Sequence, residues 1–158
     1  MKKEIKTRAL VLSLAIPLLV GGLSALLSRK GFARFDALYK PVLTPPDWVF
    51  PVVWTILYLL LGWACYLVWT SGASPERRER ALRVYALQLA ANFLWPLLFF
   101  AWDLRGPALA LLVLMLAGAV FCRTLFVHIE EKAGRLLTPY LIWLCFALYL
   151  NLGVVLLN

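Results

Sequence analysis

Three sets of residues in this chain of 158 place aromatic rings beside one or two polar groups at helical spacing. Tyr85, Gln88, Asn92 and Trp95 recur every three or four positions and so share one face of a helix. Trp54, Tyr58 and Cys65 do the same upstream, and Tyr140, Trp143, Ala147 and Asn151 do so near the end. The amides of Gln88 and Asn92 can each donate and accept hydrogen bonds. Rings next to a few polar handles suit a flat, largely apolar ligand. The same residues also serve as aromatic packing and as hydrogen-bonded glue between helices. Nothing comparable supports covalent or acid–base chemistry: the sequence has no Ser-His-Asp order, no carboxylate pair inside an apolar stretch and no phosphate loop. Cys65, Cys122 and Cys145 all fall in apolar stretches without a C-x-x-C pair, which points to buried thiols rather than metal or redox work. His128 is expected in a loop, and a lone His gives little support for axial haem ligation.

The elements that must hold these residues follow from where the charges are missing. Hydrophobic residues make up 63% of the chain, well above the share in a soluble domain. Uncharged runs occupy Ala9–Ser28, Trp48–Pro75, Val84–Trp102, Gly106–Cys122 and Leu136–Asn158. About 20 apolar residues, and no fewer than about 17, carry a helix across the hydrocarbon core. Lipid offers the backbone no hydrogen bonds, so each run must be helical. The expected fold is all-α: one bundle of five transmembrane helices, with spans near 9–28, 48–70, 82–102, 106–127 and 136–157. Loops are short except for a longer Pro-rich one after the first span. The first run is long for a cleaved leader and no A-x-A site closes it, so it is expected to be a retained span.

The net charge of +8 does not point to nucleic acid, because the basic residues flank the spans. Lys2, Lys3, Lys6, Arg8, Arg77, Arg78, Arg80, Arg83, Arg123, Lys132 and Arg135 fall on one side of an alternating topology; Arg29, Lys30, Arg34, Lys40 and Arg105 fall on the other. The positive-inside rule then places the N-terminus in the cytoplasm. Arg123 is the one charge deep in a span, and it is expected to snorkel from a helix end. Ser13, Pro17, Gly21 and Ala25 form a small-residue stripe on the first span, and Ala86 and Ala90 a shorter one on the third. Such stripes let helices approach closely, within one chain or between two copies.

The segment Lys40–Tyr58, KPVLTPPDWVFPVVWTILY, leads into the second span. Pro45 and Pro46 bar a helix and favour extended residues before them. Trp48 and Trp54 follow at the membrane boundary, where amphipathic rings collect. Trp63, Trp69 and Trp102 are expected to face lipid or the interface. On the third span, Pro96 lacks an N–H and frees a backbone carbonyl one turn earlier.

Several blocks, in order along nearly the whole chain, resemble the tryptophan-rich sensory protein (TspO/MBR) family, whose animal members are called translocator protein or peripheral benzodiazepine receptor. The first is Lys40-Pro41 with Pro45-Pro46, Trp48, Trp54-Thr55 and Leu57-Tyr58. The second is Gln88-Leu89-Ala90, Asn92 and Trp95-Pro96, followed by Phe99-Phe100. The third is Arg135-Leu136-Leu137, Pro139-Tyr140-Leu141, Trp143, Phe146-Ala147 and Leu150-Asn151. The resemblance implies a five-helix bundle, commonly a homodimer, with a pocket beneath the first loop for protoporphyrin IX and related tetrapyrroles, haem among them, or for other flat hydrophobic molecules. It implies ligand-binding residues at Phe35, Pro45, Trp54, Tyr58, Asn92, Trp95, Trp143 and Ala147, and no required cofactor. A sensor or regulator is expected first, a light-dependent porphyrin-degrading enzyme second and a transporter third. The porphyrin's propionates would lie near Lys40 or Arg34, with the loop as a lid. This chain departs from the family pattern at Leu43, where a Trp is usual, and at Phe93, where animal members have a second Trp. No Lys or Arg follows Tyr149, which argues against cholesterol binding and for a bacterial membrane.

Overall fold

The computed structural model describes residues 6–158, all of them in helices and their connections. Lys2 and Lys3, counted above on the N-terminal side, lie outside the described residues. The helices are α1 (Thr7–Ser28), α2 (Phe32–Asp36), α3 (Val49–Trp69), α4 (Pro75–Pro96), α5 (Arg105–Ile129), α6 (Glu131–Leu136) and α7 (Thr138–Leu157). A 3₁₀ turn, Arg29–Gly31, joins α1 to α2, and a π-helical turn, Leu97–Ala101, extends α4. Five of the resulting segments are long and apolar enough to cross a membrane. Their outer faces carry Leu19, Leu87, Leu114 and Ile142, each about 70% exposed. A belt of this kind on four helices would aggregate in water and is solvated by acyl chains.

Helix ends are sealed by the chain's own charges and caps. Ser74 caps α4, its hydroxyl accepting from the Arg77 amide at 3.5 Å, and Pro75 follows as the first helical residue. Arg78 donates to the Trp69 carbonyl (3.1 Å) and Arg77 to the His128 carbonyl (2.8 Å). Both carbonyls belong to the last turns of helices, whose negative ends attract cations. α4 therefore begins at Pro75, earlier than the expected membrane entry near 82: its first two turns are charged and lie beyond the apolar run. His128 is not in a loop but in the last turn of α5, where its Nδ1 lies 2.7 Å from the Thr124 carbonyl oxygen.

Packing follows the small residues. α1 packs chiefly on α3, then on α4; α5 packs on α7 and α4; α3 and α7 meet only briefly. A side chain at Gly62 would reach within 2.5 Å of the Ser13 carbonyl oxygen and 2.9 Å of Leu14 Cα, so α1 and α3 touch backbone to backbone. Of the stripe on α1, Ser13 and Pro17 are buried and Gly21 lies against the Tyr58 ring. Its close approach is thus made within the chain. Ser24 adds a hydrogen bond to the Phe93 carbonyl of α4 at 2.7 Å. Among the cysteines, Cys122 is buried and Cys65 half-buried, but Cys145 faces outward. Gly62→Ala should destabilise the bundle by roughly 1–3 kcal/mol, because backbone cannot yield to the added methyl. Thermal melting in detergent should show a clear drop for this variant and almost none for Gly22→Ala, whose position is open; equal melting of the two would refute the backbone contact.

Candidate functional site

A cavity of about 420 Å³ opens at the end of the bundle that carries α2 and the Pro-rich segment, and all five spans line it. Its size falls in the range of small-molecule sites, roughly 300–1,000 Å³. The walls are mostly aromatic. Trp54 stacks on Tyr58 with ring centres 5.5 Å apart, and Trp95 stacks on Phe99 at 5.1 Å. Trp143 meets Phe50 edge-on at 6.0 Å. These three indoles turn inward, whereas Trp48, Trp63, Trp69 and Trp102 are all exposed on the outer surface.

Pro96 explains one wall. Its missing N–H breaks the helical ladder, and the next turn widens: the Trp102 amide bonds the Leu97 carbonyl five residues back, at 2.9 Å. The wider turn brings Phe99 and Phe100 to the cavity. α2 roofs it, with Phe32 5.0 Å from Phe100 and Phe35 5.3 Å from Phe100. Gly31 makes this possible, since any side chain there would collide with the Phe100 carbonyl. The loop folds onto α7, where the Tyr39 amide donates to Asn158 Oδ1 at 3.1 Å and Asn158 Nδ2 donates to the Tyr39 carbonyl at 2.9 Å. The residues before Pro45 are not extended; Pro41–Thr44 form a turn, closed by the Thr44 amide on the Pro41 carbonyl at 3.1 Å.

The inner end of the cavity is a polar knot. Tyr140 is fully buried, and its hydroxyl accepts from Gln88 Nε2 and from Asn92 Nδ2, both at 2.8 Å. Gln88 Nε2 also donates to the Met115 carbonyl (2.7 Å), and Asn92 Nδ2 to the Gln88 carbonyl (2.9 Å). Trp95 Nε1 donates to Asn151 Oδ1 at 3.2 Å. Two buried atoms on cavity-lining residues have no partner among the described residues: the acceptor Asn92 Oδ1 and the donor Trp143 Nε1. A buried polar group left unsatisfied costs about 1–3 kcal/mol.

Seven of the residues singled out in the sequence line the cavity: Phe35, Trp54, Tyr58, Asn92, Trp95, Trp143 and Ala147. Pro45 does not; its neighbours Thr44 and Asp47 do. Phe32, Asp36 and Asp47 are not singled out in the sequence, lying in or beside an irregular loop where no periodicity marks a face, and neither is Phe50, which its spacing with Trp54 and Tyr58 on α3 could have marked. Arg34 and Lys40, expected near a ligand's carboxylates, are already engaged. Arg34 lies 3.8 Å from Asp103, and Lys40 lies 3.5 Å from Asp36 with its ammonium over the Phe35 ring. His128 is 13 residues beyond Met115 on α5, about 20 Å along the helix and away from the cavity.

A bundle of five apolar helices around an aromatic cavity defines an integral, multi-pass membrane protein. A profile of the TspO/MBR family matches residues 13–157. The chain is 36% identical over 151 residues to the tryptophan-rich protein TspO of Archaeoglobus fulgidus, covering 94% of this chain and 96% of that one. It is 40% identical over 124 residues to the tryptophan-rich sensory protein of Cereibacter sphaeroides (78% and 76%) and 38% identical over 123 residues to the translocator protein of Homo sapiens (77% and 73%). The chain belongs to the TspO/MBR family.

Asp103 ties the roof to the bundle. It adopts a left-handed backbone (φ 55°), which Asp tolerates, and its carboxylate accepts from Arg105 at 2.7 Å and 3.3 Å. Arg105, helped by Arg34, holds the Asp103 carboxyl below the usual carboxylate range. The folded state thus favours the charged form, so this stabilisation is complete above the ordinary carboxylate pKa and fades as pH falls through the lowered value. The melting temperature of the protein in detergent should fall below about pH 4, and Asp103→Asn should melt lower at pH 7 yet lose part of that acid dependence. Parallel pH profiles for the two would remove Asp103 from the account.

Proposed function

We propose that the protein binds tetrapyrroles such as protoporphyrin IX in this cavity and serves as a sensor or regulator in porphyrin or stress metabolism. The observation that carries the reading is the pair of unpartnered atoms, Asn92 Oδ1 and Trp143 Nε1, in a cavity walled by rings. A porphyrin core offers what they lack: pyrrole N–H groups that donate, ring nitrogens that accept, and a flat apolar body to stack on Trp54 and Trp95. Phe35, Tyr58 and Ala147 would complete the contact, while Pro45 would shape the loop that acts as a lid. A propionate would reach Lys40 by displacing Asp36 from it. The names of the relatives, sensory protein and translocator protein, accord with a ligand-responsive role. Protoporphyrin titrated in the dark should quench tryptophan fluorescence saturably. The Trp54→Phe, Trp95→Phe, Trp143→Phe triple variant should lose most of that quenching; undiminished quenching would refute stacking in the cavity.

The same reading places the N-terminus in the cytoplasm of a bacterial cell and pairs two copies as a homodimer. The end bearing Arg77, Arg78, Arg80, Arg83, Lys132 and Arg135 is the more basic one. Ala86 and Ala90 remain exposed on α4, a small-residue pair left uncovered by the chain's own packing. Ala86→Cys should cross-link two copies and a phosphatase fused after Asn158 should be active; no cross-link, or a silent fusion, would reject the corresponding half.

A further inference from the structure

A second hollow lies on the outer surface between α3 and α7. Val53, Ile56 and Leu57 form one wall, Pro139, Ile142 and Trp143 the other, and Arg135 and Thr138 stand at one end. Two arginines lie at or beside that end. Arg135 lines the groove, and Arg123 donates through Nε to the Thr138 hydroxyl at 3.3 Å. Both lie toward the ends of segments long and apolar enough to cross a membrane, on the basic side of the bundle. By helical rise, Arg123 is about 9 Å inside the end of α5 and Arg135 about 6 Å inside the start of α6. Arg135 shares its charge with Glu131 one turn away. Arg123 is half-buried and has no carboxylate partner among the described residues. A half-buried cation near the end of a span calls for an anion or a route to the headgroup layer.

We infer that this groove binds one anionic phospholipid, its phosphate held by Arg123, Arg135 and Thr138 and one acyl chain laid between α3 and α7. The apolar walls and the basic end match the two halves of such a lipid, and arginines near the ends of spans extend toward headgroup phosphates. Because α3 and α7 touch only briefly, the acyl chain fills a seam that side chains leave open. Trp143 belongs to both hollows, so the lipid lies against the wall of the ligand cavity without depending on what that cavity binds.

Native mass spectrometry of the full-length protein, released from detergent with equal phosphatidylglycerol and phosphatidylcholine, tests the assignment. The wild type should retain phosphatidylglycerol in about tenfold preference, as charge-assisted hydrogen bonds would give. Arg123→Gln with Arg135→Gln should abolish the preference, and Thr138→Val, a milder change, should reduce it. Arg80→Gln with Arg83→Gln, which removes the same charge elsewhere on this face, should leave it intact. Ile142→Trp should lower retention of both lipids by filling the groove. Equal retention of the two lipids by the wild type, equal loss in the Arg80/Arg83 control, or displacement of lipid by inorganic phosphate would overturn the inference.

Discussion

The Tyr140 hydroxyl, receiving one hydrogen bond from Gln88 and another from Asn92, is the interaction on which the rest of the bundle turns. Lipid tails are as apolar as leucine, so hydrophobic burial sets no register between one helix and the next. Directional bonds do. This knot ties α4 to α7 directly and to α5 through the Met115 carbonyl, and it does so in a buried, low-dielectric place where each bond matters. Once the register is set, Trp95 faces Asn151, and Trp143 and Trp54 come to the same hollow. The knot is also incomplete. It uses both hydrogens of the Asn92 amide and leaves the oxygen unmet, so the contact that aligns the helices also leaves one acceptor facing the cavity.

Close backbone approach is the second constraint, and it works on the opposite flank. Gly62 lets α1 lie against α3, and Gly31 lets the short α2 cross over the widened turn after Pro96. One small residue at each point permits the close approach, and at Gly31 it sets how near the roof lies to the cavity wall. Asp103 then holds that roof through Arg34 and Arg105, outside the hydrocarbon, where charges remain wet.

What the sequence made legible depended on periodicity. The inward faces of α3, α4 and α7 could be read because helical spacing places Trp54 with Tyr58, Asn92 with Trp95 and Trp143 with Ala147 on common faces. Membrane entry could be read from the missing charges, but helix ends could not: α4 runs on for two charged turns, and His128 stays helical because Arg77 caps its carbonyl. The effect of Pro96 was legible as a freed carbonyl, not as a five-residue π turn that brings Phe99 and Phe100 inward. Asp36 and Asp47 were silent, since the short α2 and the loop after it carry no period long enough to read, whereas Phe50 stands one turn before Trp54 on the same face of α3 and could have been read. The stripe on α1 announced a close approach but not its partner, which only the meeting of Gly21 with Tyr58 and of Ser13 with Gly62 identifies.

The central claim is that the unmet polar atoms of the cavity are completed by a bound tetrapyrrole. The indole N–H resonances of the seven tryptophans, recorded by ¹⁵N–¹H NMR in micelles as protoporphyrin IX is added in the dark, test it most directly. The Trp143 indole should shift downfield on gaining an acceptor, and its hydrogen exchange should slow, while Trp63, Trp69 and Trp102 stay in place. Movement confined to those outer indoles, with Trp143 unchanged, would mean that the porphyrin coats the lipid-facing surface and leaves the cavity empty.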